Sequence, residues 1–211
     1  MEKSDPKRNV IDVSTERLPL ALDEVFRNPN DCTLEIGFGE GEFIIELARA
    51  NPAQNHVGIE IKTYRVKKAV RKLKRESLPN LRFLHTDAVI AMSEIFAPDS
   101  FRTVYINFPD PWPKEKHHKH RIFSPYFLSL LSRSMTPDGI VEIVSDHEEY
   151  VAYVRDSFEE EPHFRRLVSE KGHFRDFPHR PESKFEQLFK AKGKEIFYLR
   201  YSNAKGGGGG S

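Results

Sequence analysis

Strand-length apolar runs alternating with helical stripes predict an α/β fold with a mostly parallel sheet and helices on both faces. A glycine turn after the first run supports it, and two closing apolar runs predict an antiparallel C-terminal edge. In order, residues 32–39 (CTLEIGFG) read as a buried strand entering a turn, followed by a helix over 40–51. Residues 56–61 form the second strand. Residues 63–78 form a helix, because Val66, Ala69, Val70 and Leu73 share one stripe among basic residues. A third strand (81–88), a short helix (88–97) and a fourth strand (102–108) follow. Ser124 with Pro125 behind it starts a helix over 124–135, since serine caps and proline fits the first turn. A fifth strand (139–146), a helix (148–160) and the closing strands (164–168 and 195–202) complete the series. Residues 169–194, rich in Lys, Gly, Pro, His and Arg, read as a functional loop.

The 211 residues, 38% of them hydrophobic, suffice for one domain with a sizeable core, taken as 1–205 with residues 1–31 as an N-terminal extension. The closing GGGGGS (206–211) has the composition of an engineered flexible linker. No apolar run is long enough to span a bilayer and the N-terminus has no apolar leader core, so a cytoplasmic protein without membrane partners is expected. The single Cys32 excludes an internal disulfide, in keeping with a reducing compartment. Net charge is only +1, yet charge is segregated. Residues 62–75 carry eight basic side chains and no acid, whereas acids dominate 146–161. Each run can also be a solvated helix face.

The chemistry gathers at strand ends. Gly37, Gly39 and Gly41 let the chain turn sharply after the first strand and approach a ligand closely. Glu60 ends the second strand, where a carboxylate can accept both hydroxyls of a ribose; Asp87 ends the third, within reach of an adenine amino group. A dinucleotide fingerprint would place its third glycine at position 42, which is Glu42. Glu35 beside the turn suits a cationic cofactor better than a pyrophosphate. S-adenosylmethionine, with an ammonium and a sulfonium, fits that pattern.

The stretch NFPDPWPKEKHHKHR (107–121) adds the second half of a site. Pro109 and Pro111 restrict the backbone on either side of Asp110 and hold its carboxylate in place. Lys114, Lys116, Lys119 and Arg121 offer phosphate contacts, with His117, His118 and His120 adding hydrogen bonds. Adjacent histidines in a charged loop with no nearby Cys rarely close a zinc site, so no metal is expected. Trp112 can stack on a base or anchor the loop.

With LEIGFGEG, GIEI, HTDA, NFPDPWPK, HHKHR, SD and SKFE in this order, residues 32–202 resemble the bacterial tRNA (guanine-N7-)-methyltransferases. The resemblance implies a Rossmann-like class I methyltransferase fold, S-adenosylmethionine as cofactor, and methylation of the variable-loop guanosine (position 46) of tRNA. It implies cofactor contacts for Glu35, Glu60, Asp87 and Asp110, with Asp110 also at the catalytic centre. It implies substrate contacts for Lys114, Asp146, Ser183, Lys184, Phe185 and Glu186. Glu115 and His120 dilute the family's basic run, and Ser183 stands where Thr is more usual. Ser183 and Glu186 also match a helix capping box. An RNA-binding module with a non-catalytic cofactor site is the alternative of another class, opposed by the intact acids. A methyltransferase acting on small molecules or proteins would show [DN]-P-P-[YF] in place of N-F-P-D-P-W. Monomer and homodimer both remain open.

Overall fold

The computed structural model describes residues 9–73, 76–112, 114, 121–168 and 174–205. Its strands are β1 (Cys32–Ile36), β2 (Asn55–Glu60), β3 (Leu81–His85), β4 (Phe101–Asn107), β5 (Met135–Ser145), β6 (Phe164–Leu167) and β7 (Phe197–Asn203). They form one sheet in the order β3-β2-β1-β4-β5-β7-β6. The pairs among β1 to β5 are parallel, whereas β7 lies antiparallel to both β5 and β6. The expected edge is therefore present. The chain winds outward in opposite directions from β1 and β4, which opens a crevice beyond their carboxyl ends.

Period-two alternation divides the sheet into two unlike faces. On one, Leu34, Ile36, Val104, Ile106, Val141, Ile143 and Leu199 join the main apolar core. That face is covered by α1 (Leu22–Phe26), α4 (Ala88–Ile90) with its continuing π turn, α5 (Pro125–Ser134) and α6 (Glu148–Glu159). On the other, α2 (Glu42–Ala50) and α3 (Thr63–Lys72) pack Ile44, Ile45, Val66 and Ala69 against Leu81 and Phe83. Farther along, Val144 and Tyr198 meet Phe177, below α7 (Lys184–Ala191). This second face also carries a polar row in register: Gly58, Glu35, Tyr105, Glu142 and Arg200.

Several boundaries differ from the sequence reading, each for a local reason. The helix expected over 63–78 ends at Lys72, with Leu73 buried as its cap. The helix expected over 88–97 widens after Ile90 into a π turn, Ala91–Ile95, where the Phe96 amide donates to the Ala91 carbonyl five residues back. The fifth strand starts at Met135 rather than 139, because Phe101 pairs with Met135 across a register shift. Residues 169–194 are not all loop, since the apolar residues after Ser183 form α7. The N-terminal extension is partly integral: Ile11, Leu20, Leu22 and Phe26 are buried in the main core, and Leu20 bridges to Phe96.

Candidate active site at the carboxyl ends of β1 and β4

The turn after β1 is tied to the end of β2. Gly37, Gly39 and Gly41 all take positive φ, where L side chains are strained. A Cβ at Gly41 would also lie 2.8 Å from the Ala69 Cβ of α3, so that glycine lets two helices approach. The Gly39 amide donates to Glu60 Oε2 at 3.0 Å, and the Lys62 amide donates to Glu60 Oε1 at 2.9 Å. Arg65 stands 3.4 Å from Oε2. Glu60 thus clamps the glycine loop, which also sets where a ligand would meet it. Asp87 lies just beyond β3 rather than within it. Its Oδ1 caps α4 by accepting from the Val89 amide at 2.8 Å, leaving Oδ2 for another donor.

Glu35 lies deeper, with only 2% of its surface exposed. Asn107, the last residue of β4, donates to its Oε1 at 3.1 Å. Glu35 Oε2 and Asn107 Oδ1 are buried without a donor among the described residues. Burial pushes the Glu35 carboxyl up to about 8, against the lowering effects of Asn107 and Arg180. A buried pair of acceptors lacking donors matches the ammonium of an amino-acid-bearing cofactor. The residues present therefore fit S-adenosylmethionine.

The loop after β4 is held from both ends. The Phe108 amide donates to Val144 at 2.8 Å, and the Phe108 ring lies 5.3 Å from Phe189 and 6.1 Å from Phe185. Phe108 and Trp112 both adopt positive φ, a strained choice for bulky residues that surrounding contacts must maintain. Arg121 Nε donates to the Pro111 carbonyl at 3.1 Å, and its guanidinium sits 4.6 Å from the Tyr153 ring centroid. Arg121 therefore anchors the loop whatever else it contacts. Asp110, between these fixed points, is exposed, as is Lys114. Lys116, His117, His118, Lys119 and His120 lie outside the described residues. Among the described residues no cluster of His, Cys, Asp or Glu could hold a metal ion.

The C-terminal segment reaches the same rim. Ser183 caps α7 and Glu186 completes the box: Ser183 Oγ accepts from the Glu186 amide and Glu186 Oε2 from the Ser183 amide, each at 3.2 Å. Glu186 is buried, and its Oε1 accepts from the Tyr198 hydroxyl at 2.6 Å. Its carboxylate is thus turned inward, while Lys184 and Phe185 project outward, Phe185 being 53% exposed. Lys184 Nζ stands 3.7 Å from Glu42 at the start of α2, and Lys194 pairs with Asp146 at 2.6 Å. Segments far apart in sequence therefore meet around Phe108 and the start of α2.

Sequence reading missed Asn107, Glu142 and Arg180. The Arg180 guanidinium is buried 3.5 Å from Glu142 and 3.4 Å from Glu186, and it packs 5.0 Å from the Phe43 ring centroid. Glu142 also faces His179 at 2.8 Å and Arg200 at 3.2 Å, and burial raises its carboxyl despite these cations. An acid alternating with Val141 and Ile143 in an apolar strand was the available signal. Nothing in the sequence around Arg180 marks it as buried.

A family model described as "Putative methyltransferase" matches residues 29–199. The tRNA (guanine-N(7)-)-methyltransferase of Thermotoga maritima is 40% identical over 90% of this chain, which spans 60% of that protein's length. The enzyme of the same name from Halorhodospira halophila is 34% identical, with 93% of this chain and 81% of that protein covered. Among solved structures, the antibiotic-resistance methyltransferase Kmr superposes with a TM-score of 0.61 at 16% identity, covering 89% of this chain and 92% of that one; this likeness shows the fold. Fold and relatives converge: the chain belongs to the S-adenosylmethionine-dependent tRNA (guanine-N7-)-methyltransferase family.

Proposed function

We propose that this protein transfers a methyl group from S-adenosylmethionine to N7 of a guanosine in tRNA, and that the target is the variable-loop guanosine at position 46. The observation that carries this reading is the placement of Asp110: an exposed carboxylate on a braced loop, directly after the strand that supplies Asn107 to the cofactor pocket. The cofactor, when bound, supplies an electrophilic methyl group. Guanine N7 already offers a lone pair, so no general base is required and the protein's task is alignment. Asp110 accepts from the N1–H and N2–H₂ edge of guanine and offsets the positive charge that develops on the ring.

Phe185, exposed beside Phe108, gives the base an aromatic surface, with the Ser183–Glu186 cap holding that helix start in place. Glu60 and Asp87 serve the ribose and adenine, and Glu35 the amino-acid end. Lys114, with Lys116, Lys119 and the histidines from 117 to 120, meets phosphates. Among the described residues no helix is long and apolar enough to cross a membrane. The reaction belongs in the cytoplasm, where tRNA is found. Incubating unmodified tRNA with the protein and S-adenosylmethionine, then analysing nucleosides by mass, should yield N7-methylguanosine. Methylation of another base or atom would overturn the assignment.

A further inference from the structure

We propose that Lys194 is a positioning residue for methyl transfer, acting through Asp146, whose carboxylate it holds in place to accept from the second N2–H of the target guanine. The inference rests on the methyltransferase reading and deepens it, giving the guanine edge a second acid and the cation that orients it. Asp110 and Asp146 leave neighbouring parallel strands. Asn107 stands in register with Val144, and the two acids follow three and two residues farther on. The Phe108 amide, donating to the Val144 carbonyl at 2.8 Å, ties the Asp110 loop to β5 just before Asp146. A carboxylate that grips N1–H and one N2–H side by side uses both its oxygens, so the other N2–H is left for an acceptor on the adjoining strand end.

The way α7 ends places Lys194 for this role. Gly193 takes a φ of +69°, its amide donates to the Lys190 carbonyl at 2.9 Å, and the Lys194 amide donates to the Phe189 carbonyl at 3.0 Å. These two bonds form a Schellman cap, which fixes the backbone at position 194 relative to the helix. The Lys194 ammonium lies 4.3 Å from the Phe189 ring centroid and donates to Asp146 Oδ2 at 2.6 Å. Phe189 in turn packs 5.3 Å from Phe108, so one ring supports both the cation and the start of the Asp110 loop. Among the described residues Asp146 Oδ1 accepts no hydrogen bond, so one oxygen is held and the other is open to a ligand. The side chains of Lys194 and Asp146 are 48% and 21% exposed, and a pair so placed adds little to folding stability. Its support by a helix cap and an aromatic ring therefore points to alignment of the acid.

Steady-state methyl transfer to transcripts carrying guanosine or inosine at the target position tests this, because inosine keeps N7 and N1–H but lacks the 2-amino group. The wild type should be slower on inosine. On guanosine, Lys194→Met should lower kcat about tenfold with KM for tRNA little changed, as expected when a transition-state contact is misaligned. On inosine the same variant should differ from wild type by less than about twofold, since the contact that Lys194 supports is already missing. Lys194→Arg should recover most of the rate. Gly193→Ala keeps the lysine but strains its cap, and should show the same guanosine-dependent loss. Melting temperatures of Lys194→Met and wild type should coincide. Equal wild-type rates on the two transcripts, or an equal loss on both in Lys194→Met, would overturn the proposal and leave the methyltransferase reading standing. A Lys194→Met variant as fast as wild type on guanosine would do the same. Failure of the wild type to methylate the guanosine transcript would overturn both.

Discussion

Asp110 sits where the chain has the least freedom to move it: prolines flank it, Phe108 and Trp112 hold strained backbone on either side, and Arg121 pins the carbonyls that follow. Such fixity is useful for alignment and superfluous for a solvated surface acid. Asp110→Ala should lower kcat about 10²-fold or more, the usual loss when a preorganised electrostatic partner of the transition state is removed, with tRNA affinity largely kept. Asn should rescue only partly, since it keeps an acceptor but not the charge. Single-turnover transfer of labelled methyl is the measurement, and a near-normal rate for the alanine variant would reassign the loop to scaffolding. Glu35 carries a prediction of its own. It keeps its proton up to about 8 in the folded protein, against an ordinary value of 4.5. Folding between those pH values takes up a proton, so this group's contribution to stability is lost as pH rises from about 4.5 towards 8. Without cofactor, Glu35→Gln should therefore gain several degrees in Tm relative to wild type between pH 5 and pH 8. A difference independent of pH would contradict that protonation state.

At the scale of elements, α7 shows both what the sequence discloses and what it conceals. The capping box at Ser183 and Glu186 was legible, because its chemistry is local and its spacing fixed. That Glu186 also binds Tyr198 and Arg180, locking the helix start onto β7 and β5, was not legible, because those partners are set by tertiary packing. Ser183→Ala should cost about 1 kcal/mol as a lost cap. Arg180→Ala should cost more, about 3–5 kcal/mol, because Glu142 and Glu186 lose the buried guanidinium they share and keep only the more exposed His179, Arg200 and Lys190 as basic partners. Thermal or urea unfolding ranks the two variants, and an equal or reversed order would remove Arg180 from this role. Helix α3 teaches the converse lesson. Its run of basic residues reads as a local positive field, yet Lys68 pairs with Glu40 and Lys72 with Glu42, each at 2.6 Å, leaving Lys67 and Arg71 exposed. Opposite charges from the turn before α2 offset much of the field that the sequence suggested.

Across the whole molecule, the strand order puts every rim residue on one edge of the sheet, which explains how strand-end chemistry could be read from sequence at all. Glu35 stands next to the end of the first strand, Glu60 closes the second and Asp87 lies just beyond the third, so strand ends located them. Asn107 and Arg180 escaped because their roles depend on which strands become neighbours. The same architecture separates two places that the proposed function assigns to different ligands: the buried Glu35 and Asn107 oxygens beside the glycine turn, and an exposed rim beginning at Asp110 and Lys114. Affinity for tRNA should consequently fall steeply as salt rises, while affinity for S-adenosylhomocysteine should change little. Equal salt dependence of the two would contradict a phosphate-binding rim.

The most direct test of the central claim is the site of methylation itself. Unmodified tRNA is reacted with S-adenosylmethionine and the protein, then reduced and treated with aniline, which cleaves the chain at N7-methylguanosine. The account predicts a single cut at the variable-loop guanosine, absent from a transcript carrying adenosine there and absent after reaction with Asp110→Ala. Cleavage elsewhere, or methyl incorporation without cleavage, would contradict it.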